Sequence, residues 1–541
     1  FARRSTTLLA AIIASCAMVL SLTACTSDNK TVVDGQTTVT SNSAGGVAVF
    51  TPSDGITLNQ QTPLNKWAKL VPDLAKALAD AGFKKGDIDH TTSDSLAKQS
   101  RAIQDFVVDH LSNNTTDDSG IAIAPDNMTL LVAPVVEADA STRQYGDYIS
   151  QNLSTNDATD EGATSDGESS KDDSSKDDSS NTESDSTASD EQAQAVDRLV
   201  SSLKLAKESG MHVVLLGNSI EGYKPDAFVK FSDAQTIGKL QAEKMVSKLK
   251  LDKASKDNPK YIEVLLPYTA VDEKGNANDS AFAQEAFRGI WQVLGSYYQK
   301  GVVESPSGTL DGKSTENDWQ AVAYDAAEEG STAKVLDKRL AKTDGQSTLT
   351  RIDGIITMND YIASEVVKEL DDLGYTGSAA DINPQITISG IVGNITGKKD
   401  LSRDAVPDPI KSPENDNAND SSSSDDDADE DTSASDKDRD SQWPLVTGYG
   451  AYVSNIPSIV NGKQWMTGME DRQTIATDIA QACAKLNKDE ALNSMPSIRN
   501  SEVGGVKKIP TISEPLLAVS ASNLKSALID PGYISLADAG L

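Results

Sequence analysis

Short, wholly apolar runs that alternate with amphipathic stretches predict an α/β protein built on doubly wound parallel sheets. Three observations carry that prediction. Runs such as VAVFTP (47–52) and HVVLLGNSI (212–220) show no polar alternation, which marks strands covered on both faces. Between such runs lie segments of helical period, with Ile237, Leu240, Met245 and Leu249 recurring along AQTIGKLQAEKMVSKLK. The polar excess is concentrated in two tracts, and with these set aside the remainder alternates strand and helix.

The elements follow in order. VAVFTP leads into a loop and a helical segment from Asn65 to Gly82, and IAIAP and MTLLVAPVV come next, the second ending at Val136. The helix EQAQAVDRLVSSLKLAKESG precedes HVVLLGNSI. FVKFSD (228–233) then opens onto AQTIGKLQAEKMVSKLK. KYIEVLLPY, the helix SAFAQEAFRGIWQVLGSYYQKG, DGIITMND (353–360) and the helix YIASEVVKELDDLGY complete the central part. Right-handed crossovers join such units into doubly wound sheets. Ligands of these sheets bind beyond the carboxyl ends of the strands. That rule singles out Ser53 and Asp54, Glu137, Asn218, Tyr268, and Asn359 with Asp360.

The N-terminus has the layout of a secretory signal. Arg3 and Arg4 precede an apolar run from Leu8 to Leu22, small residues follow, and a polar stretch begins after Cys25. Leu22-Thr23-Ala24-Cys25 resembles the bacterial lipobox, in which the cysteine becomes the first mature residue and carries a diacylglycerol; the competing reading is an ordinary signal peptide with a chance cysteine. Residues 1–24 are therefore expected to be a lipoprotein signal peptide, with Cys25 as the lipid attachment site. Residues 25–45, rich in Ser, Thr, Asn and Gly, are expected to be a flexible tether. The expected location is the extracellular face of the cell membrane.

The formal charge of −33 argues against a nucleic-acid partner, which needs a basic face. Between Asp157 and Glu191 the net charge is −11, and between Lys411 and Asp440 it is −9, so about 20 of the 33 negative charges sit in two tracts. Neither tract can bury apolar surface, and both read as solvated, disordered insertions. No calcium loop with a central Gly and terminal Glu occurs in them. The chain has three cysteines and three histidines. They show no metal-ligand spacing, no disulfide framework and no implied cofactor. Cys483, in QTIATDIAQACAKL, is expected to be a small core residue.

Six segments, in order, resemble the xylose-binding and multiple-sugar-binding receptors of bacterial ABC importers. They are FVKFSDAQTIGKLQAEKMV, TAVD followed by FRGIWQVL, RIDGIITMND, TGYGAYVSNIPSIVNGKQWMT, and ISEPLLAVSASNLKSALIDPGYI, and the resemblance as a whole spans about residues 46 to 538 apart from the acidic tracts. The resemblance implies a type I periplasmic-binding-protein fold: two α/β lobes, three hinge crossings and a ligand cleft between the lobes. It implies lobe 1 over 46–226, with an insertion at about 155–191, and lobe 2 over 227–466, with an insertion at about 397–441. A return to lobe 1 follows over 467–511, and a last crossing with a C-terminal helix of lobe 2 over 512–541. It further implies a monomeric receptor, tethered by lipid, that hands a small solute such as a saccharide to an ABC permease.

Residue by residue the resemblance is uneven. Trp67 stands where the family has a tryptophan after its first strand, either stacking on ligand or packing helix on sheet. Asn359 matches the family's ligand-binding Asn and is alternatively a helix cap; Asp360 follows it. The family's Gln and Asp fall on Tyr449 and Gly450, its Lys on Glu470, and its Arg near Asn218 or Ser219. Asn278 is the counterpart chosen for one of its paired Asn. Losing the Asp and the Lys removes two charge-assisted hydrogen bonds of roughly 1.5–3 kcal/mol each, so the ligand is expected to differ from a free hexose or pentose. Tyr268, Tyr449 and Tyr452 offer stacking surface for a larger solute, or fill core. WPLVTGYG (443–450) is read as the family's ligand strand, with QITISGIVGN (385–394) the alternative.

Two other functions remain. One is a surface lipoprotein with a degenerate cleft, acting in adhesion or signalling. The other is an enzyme, for which the motifs GxSxG, HExxH and a P-loop are missing and only Asp360 with Glu470 would suit a glycosidase pair. The expectation is that the chain is not an enzyme.

Overall fold

The apolar runs of the N-terminal half become strands whose successive side chains enter opposite cores. In the computed structural model, which describes residues 44–53, 63–113, 123–136, 142–155, 182–271, 280–341, 348–379 and 441–541, strand β1 (Gly46–Pro52) sends Val47 and Val49 into one apolar cluster and Ala48 and Phe50 into another. Strands β2 (Ile88–Ser93), β3 (Met128–Val132), β4 (Asn152–Leu153), β5 (His212–Leu216), β6 (Ser219–Ile220) and β7 (Ala227–Val229) follow. Helices α1 (Trp67–Asp80), α2 (Leu96–Asn113) and α3 (Thr182–Glu208) are interspersed among them. The main sheet has seven strands in the order β15-β16-β7-β5-β3-β1-β2, where β15 (Ile498–Val503) and β16 (Val506–Ile512) form an antiparallel hairpin and the other pairs are parallel.

One face of this sheet packs on Leu70, Leu74 and Leu78 of α1 together with Ile475, Ile479 and Cys483 of a late helix, here α10 (Arg472–Leu486). The other face packs on Ile103 and Val107 of α2 and Leu199 and Leu203 of α3. Cys483 is buried and unpaired, the small core residue expected. Each fully buried aliphatic side chain contributes about 1.5–3 kcal/mol, and the covering on both faces is what permits strands without a polar side.

The second sheet has four parallel strands in the order β10-β8-β12-β13. These are β8 (Lys260–Val264), β10 (Val303–Glu304), β12 (Gly354–Ile356) and β13 (Leu445–Thr447). Strands β9 (Leu266–Pro267) and β11 (Ala323–Tyr324) form a separate two-stranded parallel pair. Helices α4 (Ala234–Leu249) and α5 (Ala281–Gln299) cover one face through Ile237, Met245, Phe287 and Ile290. A short α6 (Trp319–Val322) is followed by α7 (Ser331–Arg339) and α8 (Asp360–Leu373), and the latter two cover the other face through Leu336, Ile362 and Val366.

Three segments cross between the two sheets, all within the compact unit Ser43–Leu541. The first runs from β7 into α4. The second leaves β13, passes α9 (Ile456–Val460) and β14 (Met466–Met469), and enters α10. The third runs from β16 into β17 (Leu517–Ser520), which pairs antiparallel with β14. Two doubly covered, mainly parallel sheets with three crossings constitute the α/β fold expected.

Several elements differ from the sequence reading. IDHTTS is a strand although it is polar, because β2 is the sheet edge and most of its side chains face solvent. Helix α2 and the β15–β16 hairpin were likewise not anticipated. IAIAP is no strand where it is described; Ile123 and Ala124 lead into a 3-10 turn, Pro125–Asn127. Helix α3 begins at Thr182, inside the first acidic tract. Most of both tracts, together with residues 1–43 and QITISGIVGN, lies outside the described residues. WPLVTGYG does supply a strand, β13, beside β12.

The smaller sheet also holds a buried charge. Glu263, fully buried on β8, accepts from Ser305 Oγ (2.7 Å) and Ser307 N (2.8 Å) and pairs with Arg339 of α7 at 3.4 Å. Glu263→Ala should lower the free energy of unfolding by about 3–5 kcal/mol, because the guanidinium stays buried without its counter-charge. A guanidinium-chloride midpoint close to that of the parent protein would refute this role.

Candidate functional site in the gap between the two sheets

The carboxyl ends of both sheets face a common gap, and one segment, Thr142–Gln151, lies in it. Toward the main sheet, Asp147 N donates to Asn65 O (2.8 Å), the Asp147 carboxylate pairs with Lys66 (2.9 Å) and accepts from Trp67 N (3.1 Å), and Tyr148 OH donates to Lys66 O (2.5 Å). The Tyr148 ring stacks on Phe231 at 4.6 Å and meets Trp67 edge-on at 5.0 Å. Toward the smaller sheet, Gln144 Oε1 accepts from Asn359 Nδ2 (3.1 Å) and Gln144 O accepts from Tyr452 OH (2.6 Å). The Tyr145 ring packs 4.7 Å from Phe282 and 6.2 Å from Tyr449.

Trp67 is buried in the aromatic group with Tyr148 and Phe231 and also lines a hollow. Asn218 is buried just after β5. Its Oδ1 accepts from Gln151 N (2.9 Å) and its Nδ2 donates to Pro134 O (3.0 Å), so it ties the Thr142–Gln151 segment to the strand ends. Asn359 caps α8 by accepting from Ile362 N (3.0 Å) while its amide reaches Gln144, so the cap and the contact in the gap coexist. Met358, with φ 68°, turns the chain sharply to place it there. Asn278 and Cys25 lie outside the described residues.

Asp360, Tyr449 and Glu470 sit where the crossings meet. The Asp360 carboxylate accepts from Tyr452 N (2.9 Å), Thr467 Oγ1 (2.9 Å) and Gln464 Nε2 (2.7 Å). Glu470 Oε1 accepts from Ser232 N (2.6 Å), linking the second crossing to the first. Tyr449 OH accepts from Asn65 Nδ2 (3.0 Å) and lies 2.5 Å from Ser232 Oγ and 3.4 Å from Glu470 Oε1. All three side chains are fully or almost fully buried. Tyr452 is buried as well, and Tyr268 meets Trp319 edge-on at 5.1 Å. Gly450 has φ 115°, and a Cβ there would come within 2.9 Å of the Tyr452 ring. The backbone therefore requires glycine at this place.

Space remains beside the Thr142–Gln151 segment. A hollow of about 200 Å³ lies beyond β1, β2, β3 and β5, bordered by Ser53, Trp67, Asp94, Asp147, Gln151 and Asn218 among others. A larger one, about 610 Å³, lies between the same segment and the first turns of α4 and α5; Thr142, Ile149 and Gln151 border both. Among the described residues, neither is lined by Lys, Arg or His. No group of three or more His, Cys, Asp or Glu among the described residues could hold a metal ion. No helix among them is long and apolar enough to cross a membrane.

No protein-family model and no curated protein matches the chain. Solved structures do. An ABC transporter solute-binding protein from Clostridium phytofermentans with bound β-D-glucose is 17% identical, with a TM-score of 0.44, over 91% of this chain and 99% of that one. A carbohydrate transporter solute-binding protein from Chloroflexus aurantiacus in complex with D-glucose is also 17% identical, with a TM-score of 0.44, over 92% and 98%. A periplasmic ribose ABC transporter from Conexibacter woesei is 13% identical, with a TM-score of 0.42, over 90% and 96%. The fold assignment rests on the strand order and the crossings themselves.

The sequence reading passed over Gln144, Tyr145, Tyr148, Asn65 and Ser232. The signal available was TRQYGDYIS, with two tyrosines in nine residues of a chain only 5% aromatic.

Burial raises the Glu470 carboxyl from 4.5 to about 7 against the lowering effect of its hydrogen bonds, with nearby Asp233 adding repulsion, and raises Asp360 from 3.8 to about 6. The folded state therefore holds these protons more tightly than the unfolded chain. The corresponding stability is fully present below about pH 4 and is lost as pH rises to about 7. Glu470→Gln keeps an acceptor for Ser232 N and cannot ionise. Relative to the parent, it should gain up to about 3 kcal/mol between pH 4.5 and 7. Parallel stability-pH curves for the two proteins would contradict the assignment.

Proposed function

We propose that this protein is a lipid-anchored receptor on the extracellular face of the membrane, binding a small neutral solute, a carbohydrate or a related polyol, between its sheets for delivery to an ABC permease. The observation that carries the reading is the hollow at the strand carboxyl ends, where Trp67 and Asn218 stand with Ser53, Asp94 and Gln151. A polyol needs hydrogen-bonding groups and an apolar surface together, and this lining offers both. Among the described residues, the lack of a basic group in either lining weighs against phosphorylated or carboxylated solutes. The six-segment resemblance to sugar receptors is in keeping with this, as is the lipobox at Cys25. On this reading Asp360, Tyr449 and Glu470 hold the crossings rather than the solute. With Asp360 accepting from three protein donors and Glu470 Oε1 taken up by Ser232 N and Tyr449 OH, the two carboxyls are not disposed as a glycosidase pair, and on this reading the protein is not an enzyme.

A second reading, a surface lipoprotein acting in adhesion or signalling, draws on the protein segment already seated in the gap. A thermal-shift panel separates the two. At least one neutral saccharide in a panel of maltose, xylose, arabinose, glucose and galactose should raise the melting temperature, the disaccharide more than the free hexoses and pentoses, and glucose 6-phosphate should not. At a hundredfold excess over Kd the stabilisation is about 2.7 kcal/mol. Gln151→Ala, which spares the backbone bonds of Gln151, should reduce that shift. A flat response across the panel favours the second reading. The anchor is tested by fatty-acid labelling in cells, where Cys25→Ser should abolish label and release the protein to the medium.

A further inference from the structure

We propose that Thr142–Gln151 is a built-in ligand, an internal strap that holds the two sheets closed when no solute is bound. A solute closes a two-lobed protein by making contacts to both lobes at once. This segment does so with named groups on each side. Its second half is fixed to the main sheet through Asn65, Lys66, Trp67 and Asn218. Its first half reaches Asn359, Tyr452 and Phe282 of the other body. Gln144 presents to Asn359 Nδ2 an acceptor oxygen, as a solute hydroxyl would, and Tyr145 inserts a ring among Phe282 and Tyr449, in the cluster that forms the core of the smaller sheet.

The seating depends on Gly146. Its φ is 97°, and a Cβ there would lie 2.6 Å from Asn65 O, the atom that receives the Asp147 N–H. Only glycine gives both the left-handed turn and the close approach. Tyr145 and Tyr148 flank this turn on its two sides and point into the two different cores, so the strap is a double anchor with one glycine pivot.

Two consequences follow for binding. With the strap seated, its contacts to both sheets hold them together before a solute arrives, so an added ligand should change the shape little. A solute that needs the place of Gln144 and Tyr145 must displace them, and its apparent affinity falls by the fraction of time the strap is withdrawn.

The test compares wild type, Gln144→Ala and Gly146→Ala in the full chain, without solute, by small-angle scattering and by hydrogen exchange. Gln144→Ala removes one half-buried amide and should leave the cores intact. Gly146→Ala unseats the pivot. Both should raise the radius of gyration, and both should speed exchange of the Asp147 amide by on the order of tenfold. If Gly146→Ala melts without cooperativity, Gln144→Ala decides alone. Solute-free scattering and exchange identical to wild type would overturn the strap. The strap does not rest on the solute reading: if Gln144→Ala opens and no saccharide of the panel recloses it, the strap stands and the receptor proposal falls.

Discussion

Buried hydrogen-bonding atoms without water must find protein partners, and that requirement shapes the region where the three crossings meet. An unpaired buried polar group costs about 1–3 kcal/mol, and a buried carboxylate more. Here Glu470, Tyr449, Ser232 and Asn65 satisfy one another across two of the crossings and the start of α1. Asp360 gathers the ends of the loop between β13 and β14. These bonds fix how the chain passes from one sheet to the other. The sheets themselves, each with its own pair of cores, need no such help.

This knot also explains why Asp360, Tyr449 and Glu470, though they fall at candidate ligand positions, are taken up by protein partners. Strand carboxyl ends collect polar side chains because the backbone there turns away from the ladder and leaves donors and acceptors to be satisfied. A ligand can do that, and so can a neighbouring loop. In this protein the loop is Thr142–Gln151, and hollows remain at its flanks. The gap is thus divided between protein contacts, which set the closed arrangement, and the space beside Trp67 and Asn218.

Much of the fold was legible because burial on both faces forces strands to be mainly apolar, and β1, β3 and β5 are, with only Thr51, Thr129 and His212 as polar members. The edge strand β2 escaped because an edge beside solvent needs no apolar alternation, so IDHTTS carries no periodic signal. The β15–β16 hairpin escaped for a related reason: its exposed face is polar, and Gly504-Gly505 at its turn says only that the chain reverses. Cys483 was legible as core from the helical period of its neighbours alone.

The sequence by itself determined the sheet-and-helix alternation, the polar residues at the strand ends and the separation of charge into two tracts, since each is a property of neighbours along the chain. Only the tertiary structure decided what those polar residues do. Gly450 is glycine because its backbone is left-handed against Tyr452, and Asn359 is both a cap and a partner of Gln144, 215 residues away. Such roles depend on which distant atom arrives to fill a hydrogen bond, and no local pattern encodes that.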